Sequence, residues 1–589
     1  SGMASQFLIK CKFSGGNSQR RFYSMSTVRR TEKSIVPSFI LKILFVFLIA
    51  IALGTSAQAR CTSFIFGKDA TVDGSVVVGH TDCGGNSRIH VVPGETFEPG
   101  TMAPVHWGIG SVPRGSTYEY RGQVIGYIPE VEQTYSYFHT AYSMVNEKQV
   151  AIAETTTSQL DELRAYYGMC KQIMTVQQVT VFALQRSKTA REALAVITSL
   201  MEEYGFLPHC CGAFPDGETL LIGDPNEGWI LHLFSVGNDW DPESGEPGVL
   251  WAAQRVPDDH ITVVPNHAII RELDPANNPD QLASSNIFSF AIDRGWYDPD
   301  SGKPFILNEV YSPPPTEGNM NRFYLFYSTF CPSLMKHRVW NPITYYPFSA
   351  KPDVKVSVQD GLWLSRHVLE DTVWDMSADE YWVVPDHRGG FTQSPLKTPV
   401  PTMEMRDLLG IRWSRPIASG NYTIVAQLRS WLPDAIGGVY WLTIGRRPTG
   451  VYVPIYAGVT DINPLYKVWD PSAFQHDSAR WAVEYVDALL NLRYQRAWPI
   501  LLSVRDPLEA GFFAEQSKID RIALALYEQD PAMAKEYLTQ YTWKTMDMAM
   551  EAYTKLRYDI ITAVMPNYGS PRTTGGDYRG DDFVPAWPR

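Results

Sequence analysis

The stretch Cys61-Thr-Ser-Phe-Ile-Phe-Gly-Lys-Asp-Ala-Thr-Val-Asp-Gly-Ser-Val-Val-Val-Gly-His-Thr-Asp82 contains two β-prone runs that flank a turn. The runs cover 62–66 and 75–79, and both are dominated by β-branched and aromatic residues. The segment between them is rich in Gly and Asp, which favour turn conformations. The stretch therefore predicts an antiparallel β-hairpin at this point of the chain.

The register of this hairpin follows from the position of its turn. A turn centred between Ala70 and Asp73 places Cys61 opposite Asp82, because partners on antiparallel strands are equidistant from the turn. His80 then lies close by on the same strand as Asp82. The sequence thus predicts that a thiol, a carboxyl group and an imidazole come together at one end of the hairpin.

Residues 1–60 have the features of a secretory leader. An apolar run at 43–53 follows a basic stretch and precedes Ala57-Gln-Ala59, which is a signal-peptidase cleavage pattern. Cleavage there leaves Arg60 in front of Cys61, and removal of Arg60 would make Cys61 the amino terminus. We therefore expect a protein that is periplasmic or secreted, with signal peptidase as a partner during maturation.

Two alternatives concern how the chain begins. An uncleaved leader would act as a membrane anchor, whereas lipid attachment at Cys61 is disfavoured because Arg60 stands where a small residue is required. The first residues, Ser1-Gly-Met3, resemble a cloning scar, and natural translation could begin at Met3 or at Met25. After cleavage we expect no stable membrane span, since the remaining apolar stretches are short or interrupted by charges.

An amino-terminal cysteine would carry its own base. A free α-amine titrates near ~7.7–8 and can accept the thiol proton without help from a histidine. The alternative for Cys61 is a disulfide bond, which export permits, or a buried structural thiol. No CxxC spacing typical of metal sites occurs, and the spacings leave the disulfide pairing open. The cysteines are Cys11, Cys61, Cys83, Cys170, Cys210, Cys211 and Cys331.

The composition is typical of a packed globular protein. The 589 residues are 44% hydrophobic, 13% aromatic and 19% charged. Residues 1–60 hold nine basic residues and one acidic residue, so their loss removes a net charge of +8 and changes the net charge from −12 to −20. Because an acidic chain without a basic face cannot neutralise phosphates, we expect no nucleic-acid partner.

The rest of the chain alternates β-prone and helical patterns. The predicted elements are strands at 220–223, 229–234, 261–264, 421–428 and 438–443, an amphipathic helix at 178–204, a helix start with Ser caps at 284–291, and a helical region at 476–563. Strands in both halves, with helices between and after them, predict an α+β architecture of packed layers.

Residues 61–75 closely resemble the opening of the dipeptidase A family, whose members use an N-terminal cysteine as nucleophile. The likeness continues in order over roughly residues 61–500, and the ordered set carries more weight than any single block. The further matching blocks are 145–156, 187–193, 223–229, 253–258, 265–267, 285–291 and 429–438.

The resemblance implies a four-layer αββα sandwich of the N-terminal-nucleophile (Ntn) hydrolase type, related in fold to penicillin V acylases and bile-salt hydrolases. The expected domains are a catalytic domain at 61–470, a helical C-terminal region at 471–565 packed on it, and a polar tail at 566–589. The implied activity is that of a cysteine dipeptidase, which cuts dipeptides through a thioester without a metal or organic cofactor. A small peptide is the expected substrate. The sequence leaves open whether the protein forms a homo-oligomer.

The resemblance also implies roles for three catalytic residues. Cys61 would be the nucleophile, with its own α-amine as base, and Asp82 would hold the ammonium group or orient the sulfur. Asn266 would donate to the oxyanion, a contact whose loss typically lowers the rate on the order of 10²–10³-fold. The alternatives are a turn or surface role for Asp82 and a turn role for Asn266 after Pro265.

Five further residues are supporting candidates. Many family members carry Arg near His80, so His80 either replaces that charge or is a plain polar strand residue. Thr155 and Thr156 would supply a second oxyanion donor, unless they simply belong to a strand. Asn286 would help to order the site, with helix capping by its neighbouring serines as the alternative. Arg255 is expected to be a structural ion-pair partner rather than a substrate clamp.

Two other functions compete with that of a dipeptidase. An acylase that cleaves N-acyl amides would use the same nucleophile, and a catalytically silent surface protein would keep only the scaffold. The sequence has no HExxH metal motif, no GxSxG serine motif and no glycine-rich phosphate loop. The chemistry therefore depends on Cys61 and on its exposure as an amino terminus.

Overall fold

The structure of the chain is a computed structural model that describes most of the residues after position 60. The described stretches are 61–82, 87–107, 123–208, 216–336, 346–418, 420–446 and 448–565. The predicted leader, Cys83, the Cys210-Cys211 pair and the predicted tail from residue 566 lie outside the described residues.

Strands occur in both halves of the described chain. The strands are β1 (Thr62–Phe66), β2 (Val76–Asp82), β3 (His90–Val92), β4 (Met102–Trp107), β5 (Gln123–Pro129), β6 (Tyr137–His139), β7 (Ser143–Asn146), β8 (Ala151–Thr157), β9 (Gly217–Gly223), β10 (Gly228–Phe234), β11 (Leu250–Val256), β12 (Ile261–Val264), β13 (Gln281–Ala283), β14 (Val383–Pro385), β15 (Phe391–Gln393), β16 (Tyr422–Leu428), β17 (Val439–Ile444) and β18 (Val453–Tyr456). The predicted strands fall in β9, β10, β12, β16 and β17, and are confirmed.

Helices lie between the strands and dominate the last part of the described chain. The α-helices are α1 (Val176–Arg186), α2 (Ala190–Tyr204), α3 (Ser289–Asp293), α4 (Leu307–Tyr311), α5 (Glu317–Phe330), α6 (Pro332–Lys336), α7 (Val358–Arg366), α8 (Asp379–Trp382), α9 (Met403–Leu409), α10 (Asp434–Gly437), α11 (Ala479–Leu490), α12 (Tyr494–Tyr527) and α13 (Pro531–Val564). The helical region predicted at 476–563 corresponds to α11, α12 and α13.

The first large sheet is antiparallel and contains the predicted hairpin. Its strand order is β12-β1-β2-β16-β17-β18. Thr62 pairs with Thr81 and Ser63 pairs with His80, which is the register that places Cys61 opposite Asp82. The hairpin prediction is confirmed in position and in register.

The second large sheet is also antiparallel and packs against the first. Its strand order is β13-β11-β10-β9-β8-β7-β6-β3. A Cβ added at Gly223 would lie 2.5 Å from Val78 Cγ2, and one added at Gly228 would lie 2.8 Å from Ile65 Cγ2. These two glycines therefore let the backbones of β9 and β10 approach the first sheet closely.

Helices cover the outer sides of both sheets. Helix α1 contacts β7 and β8, α2 contacts β9 and β10, and α7 contacts β2 and β16. The long helices α12 and α13 pack on each other and on β18. The prediction of mixed α and β elements with antiparallel sheets and a helical C-terminal region is confirmed. Among the described residues, no helix combines the length and apolarity needed to cross a membrane.

The single helix predicted over 178–204 is wrong in one respect, because the chain forms two helices there. Ser187 has an extended backbone, and Thr189 caps the second helix by accepting a hydrogen bond from Glu192 N. The Nδ2 group of Asn146 donates to Leu184 O at 2.8 Å and to Ser187 O at 2.9 Å. A side chain from β7 thus binds the carbonyls at the end of α1, and periodicity alone did not reveal this contact.

The helix start predicted at 284–291 is also displaced. Helix α3 begins at Ser289, and its N-cap residue Phe288 makes no side-chain cap. The Ser284 hydroxyl accepts a hydrogen bond from Trp251 N at 3.1 Å instead. Ser284 therefore serves the neighbouring strand β11, and a long-range contact has replaced the predicted local cap.

Candidate active site

Cys61 lies immediately before β1, on the side of the first sheet that faces the second sheet. Its Sγ donates to Asp82 Oδ1 at 3.5 Å. The next residue on the same side, Ser63, donates to Glu154 O of β8 at 2.7 Å. Side chains of a strand alternate between its two faces, so Cys61 and Ser63 both point between the sheets. The residue Cys61 is 1% exposed in the chain described here.

Asp82 ends β2 and is paired with Tyr422 on β16. Tyr422 is fully buried, and its hydroxyl accepts a hydrogen bond from Tyr142 N at 3.3 Å. Burial raises the pKa of Tyr422 well above its usual value, and the nearby Asp82 carboxyl adds to the rise. The hydroxyl therefore stays protonated beside Asp82. No local sequence pattern predicts Tyr422 at the site, because it comes from a distant strand.

His80 and Glu154 face each other across the two sheets. The distance from His80 Nε2 to Glu154 Oε2 is 3.6 Å, and both side chains are at most 1% exposed. His80 Nδ1 lies 3.3 Å from Met144 Sδ, and Thr156 Oγ1 donates to Glu154 Oε1 at 3.2 Å. Sequence reasoning predicted His80 near Asp82 but missed Glu154, because Glu154 comes from a different sheet.

Four of these residues form a compact set of potential metal ligands. One ligand atom from each of Cys61, His80, Asp82 and Glu154 lies within 4.8 Å of the others, and all four residues are buried. The set offers one sulfur, one imidazole nitrogen and two carboxyl oxygens. The same residues can therefore serve thiol chemistry or hold a cation.

Asn266 connects the end of β12 to the two threonines of β8. It has a positive φ of 59°, a conformation that is uncommon outside glycine and often marks functional sites. Its Nδ2 donates to Thr155 Oγ1 and to Thr156 O, both at 2.9 Å. Thr155 Oγ1 lies 3.5 Å from Cys61 O. The structure thus brings Asn266, Thr155 and Thr156 next to Cys61.

Arg322 of α5 is the third residue that sequence reasoning missed. Its Nη1 donates to Cys61 O at 2.8 Å, to Thr62 Oγ1 at 2.9 Å and to Asn266 Oδ1 at 3.0 Å. Nη2 donates to Pro265 O at 2.9 Å. The sequence feature that could have indicated Arg322 is a single arginine within a helix rich in aromatic residues. A guanidinium buried among such residues requires several acceptors, so it is expected to bind backbone or polar groups nearby. Arg322 therefore ties the start of β1 to the Asn266 loop.

Two of the supporting candidates lie in other surroundings. Asn286 Nδ2 donates to Pro247 O at 3.2 Å. Arg255 forms ion pairs with Glu227, at 3.0 Å, and with Asp258. The structure therefore places Arg255 in the ion pairs that were expected for it, and it places Asn286 beside Pro247.

The site contains the thiol of Cys61, the carboxyl group of Asp82 and the amide of Asn266. The guanidinium of Arg322 binds the backbone carbonyl groups of Cys61 and Pro265. The chain matches the profile of Peptidase family C69 over residues 60–502. The chain belongs to peptidase family C69. The resemblance to the dipeptidase A family is thereby confirmed, as is the prediction of a cysteine-type peptidase family.

Relatives of this C69 chain include several proteins named as dipeptidases. The probable dipeptidase B of Streptococcus pyogenes serotype M1 is 23% identical over 513 residues, which is 85% of this chain and 92% of the relative. The probable dipeptidase of Salmonella dublin is 23% identical over 427 residues, covering 70% of this chain and 84% of the relative. The probable dipeptidase B of Lactococcus lactis is 24% identical over 535 residues, covering 85% and 94%.

Proposed function

We propose that the chain is an exported dipeptidase in which Cys61, as the first residue of the processed protein, is the nucleophile. The observation that carries this proposal is the position of Cys61. This residue lies just before β1, and its thiol donates to Asp82 at the end of β2. The family match begins at residue 60, next to Cys61. The names of the relatives support dipeptides as the substrate class.

Removal of residues 1–60 frees the α-amine of Cys61 as a base in this proposal. Cleavage after Ala59 leaves Arg60, so a second cut, autocatalytic or by another protease, completes maturation. The proposed destination is the periplasm or the extracellular space.

The proposed reaction has two halves. The α-amine takes the thiol proton, the sulfur attacks the peptide carbonyl carbon, and the ammonium group then protonates the leaving amine. Water hydrolyses the resulting thioester, which releases the first amino acid and restores the thiol. Asp82 holds the sulfur and the ammonium group in place, since its Oδ1 already accepts a hydrogen bond from Sγ.

Asn266 is the proposed oxyanion donor. Both hydrogens of its Nδ2 are engaged, one by Thr155 Oγ1 and one by Thr156 O. An oxyanion bound to Asn266 Nδ2 replaces one of these two acceptors. Thr155 Oγ1 is the acceptor that can move away, because it lies on a rotatable side-chain bond. Arg322 is a positioning residue in this scheme, because it holds Cys61 O and Asn266 Oδ1 at the same time.

The proposed fold is the four-layer αββα sandwich of Ntn hydrolases. The close approach of Gly223 to Val78 and of Gly228 to Ile65 supports two sheets packed face to face. The contacts of α1 and α2 with one sheet and of α7 with the other support outer helical layers. In such a sandwich the cluster around Cys61 lies between the two sheets.

The experiment that tests the function combines intact-mass analysis with a substrate panel. We expect the secreted protein to begin at Cys61 and to cut dipeptides. Cys61→Ser should lower kcat/KM on the order of 10³-fold or more, with unchanged folding by circular dichroism. Cys170→Ser, at a partly exposed thiol, is the matched control and should keep the activity of the parent.

Three outcomes would contradict the proposal. Hydrolysis of N-acyl amides without hydrolysis of dipeptides would indicate an acylase. A processed protein that cuts neither would indicate a silent scaffold. Full activity in the Cys61→Ser variant would remove Cys61 as the nucleophile, whatever the substrate.

A further inference from the structure

In the cluster of Cys61, His80, Asp82 and Glu154, a nitrogen and a carboxyl oxygen lie close together without a hydrogen bond. Thiol chemistry at Cys61 does not require this arrangement. His80 Nε2 and Glu154 Oε2 are 3.6 Å apart, which is too long for a hydrogen bond. Neither atom has a hydrogen-bond partner among the residues that the structure describes. Burial of two such atoms is costly unless something lies between them or binds both.

The other ring nitrogen of His80 bears on how Nε2 can bind. His80 Nδ1 is 3.3 Å from Met144 Sδ, and a thioether sulfur is only an acceptor. In the tautomer that donates from Nδ1 to this sulfur, the Nε2 lone pair faces the carboxyl oxygen of Glu154. Only a proton or a cation can bridge two lone pairs that face each other.

The distances match those between ligands of a tetrahedral cation. Zinc bonds of about 2.1 Å to nitrogen or oxygen and about 2.3 Å to sulfur hold neighbouring ligand atoms about 3.3–3.6 Å apart. The His80–Glu154 separation is 3.6 Å, and the Cys61–Asp82 separation is 3.5 Å. The widest separation between two ligand atoms of the cluster is at most 4.8 Å. Side-chain rotations that move these atoms by about 1 Å bring them to the spacing of ligands around a bound cation of this size.

The donor types and their outer partners also fit zinc or a similar cation. Zinc accepts thiolate, imidazole and carboxylate ligands together, whereas calcium and magnesium take oxygen ligands. The second carboxyl oxygen of Glu154 accepts a hydrogen bond from Thr156 Oγ1, and the second nitrogen of His80 contacts Met144. Such outer contacts fix the orientation of ligands before the metal arrives.

We propose that Cys61, His80, Asp82 and Glu154 form an inhibitory binding site for zinc or another borderline divalent cation. Binding replaces the thiol proton of Cys61, which passes to solvent, by a metal–sulfur bond. The sulfur lone pair that would attack a substrate is then engaged. The inhibition rests on the proposed function, whereas the binding does not, because all four ligands are side-chain atoms.

The binding is tested with cobalt, which replaces zinc and gives a thiolate-to-metal absorption band in the near ultraviolet. Titration of the full chain with Co²⁺ should produce this band with one cation per chain, and Zn²⁺ should abolish it by displacement. The Cys61→Ser variant should lose the band, and the Cys170→Ser control should keep it. A band that persists in Cys61→Ser, or that is absent from the parent protein, would overturn the site.

A second variant separates ligation from a general effect on the thiol. Glu154→Gln keeps the size of the side chain but removes the charged ligand. We expect Co²⁺ and Zn²⁺ affinity to fall by more than the roughly 10–100-fold that loss of an outer partner costs. The Zn²⁺-dependent rise in Tm should shrink in parallel, since it follows the same binding equilibrium. Unchanged affinity in a folded Glu154→Gln protein would exclude Glu154 as a ligand.

Inhibition is measured on the processed enzyme with a dipeptide substrate. Activity should fall as Zn²⁺ fills the site, with the Kd for Zn²⁺ that Co²⁺ displacement gives after correction for competition, and a chelator should restore it. Activity that is indifferent to Zn²⁺ at saturating occupancy would refute the inhibitory role. A protein that binds Co²⁺ through Cys61 but cuts no dipeptide would refute the proposed function and leave the binding site standing.

Discussion

Arg322 shows at the residue scale how a buried charge is held. Its guanidinium donates to carbonyl oxygens of Cys61 and Pro265, to the hydroxyl of Thr62 and to the amide oxygen of Asn266. These acceptors come from β1 and from the loop after β12, so a single side chain fixes two parts of the site. A guanidinium suits this position because its planar donors point in several directions at once.

Replacement of Arg322 should reveal this positioning role. Arg322→Lys keeps the charge but cannot reach the same acceptors, so buried oxygens lose their donors. We expect the free energy of unfolding to fall by about 2–4 kcal/mol. We also expect kcat for dipeptides to fall more than KM rises, because Cys61 and Asn266 lose their alignment. Denaturant unfolding and steady-state kinetics measure the two effects.

The control for this variant is Arg521→Lys on the exposed side of α12. Arg521 is exposed and donates within its own helix, from Nε to Ser517 O at 3.3 Å. Stability and kinetics should match those of the parent within about 0.5 kcal/mol. Equal effects at both positions would show that loss of the guanidinium matters everywhere and would refute a special role for Arg322.

At the scale of elements, the β1–β2 hairpin carries the site and depends on one glycine. Gly79 of β2 is paired with Phe64 of β1. A Cβ added at Gly79 would lie 2.0 Å from the ring of Phe64. The ring thus occupies the space of the missing side chain, and a Cβ added at Gly361 of α7 would lie 3.0 Å from the same ring. The hairpin and the helix therefore fit together only if residue 79 has no side chain.

The Gly79→Ala substitution should destabilise the protein through this clash. Overpacking of a close-fitting core typically costs about 1–3 kcal/mol, and we expect a loss of that size in denaturant unfolding. Gly511→Ala is the matched control, because an added Cβ in α12 meets nothing within 4 Å. It should stabilise the helix by about 0.5–1 kcal/mol. An unchanged free energy of unfolding in the Gly79→Ala variant would show that the Phe64 ring moves aside freely.

At the scale of the whole molecule, a buried histidine links the second sheet to the segment after β12. His232 of β10 lies 2.7 Å from Thr219 Oγ1 through Nδ1, and its Nε2 accepts from Ile269 N and Ile270 N. Burial, with a smaller contribution from the nearby His267, lowers the pKa of His232 to about 3. The imidazole is therefore neutral in the folded protein, since a proton on Nε2 would break both contacts.

This histidine should make folding sensitive to acid. The unfolded chain binds a proton at an ordinary pKa near ~6.5, whereas folded His232 does so only near about 3. Stability is therefore lost as the pH falls below 6.5, by about 2–3 kcal/mol at pH 4.5 from this group alone. His232→Gln should flatten the dependence of the unfolding free energy on pH in this range, and exposed His476→Gln should not. Equal slopes in all three proteins would exclude His232.

The sequence determined the parts of this protein that depend on near neighbours in the chain. The turn between Ala70 and Asp73 set the register of β1 and β2, which brought Cys61 opposite Asp82. Antiparallel pairing across a short loop leaves little freedom, because one turn position fixes every later pair. The positions of β9, β10, β12, β16 and β17 and of the C-terminal helices followed in the same way from local patterns.

Only the tertiary structure decided what surrounds that hairpin. Glu154 and Tyr422 reach it from other strands, and Arg322 binds Cys61 across 261 positions of sequence. Their partners are chosen by how sheets and helices stack, and a one-dimensional pattern does not contain that information. The same reason explains the break between α1 and α2, where Asn146 binds carbonyls that helical periodicity assigns to a continuous helix. Local order follows from the sequence of neighbours, whereas the chemistry of the site depends on contacts between segments far apart in it.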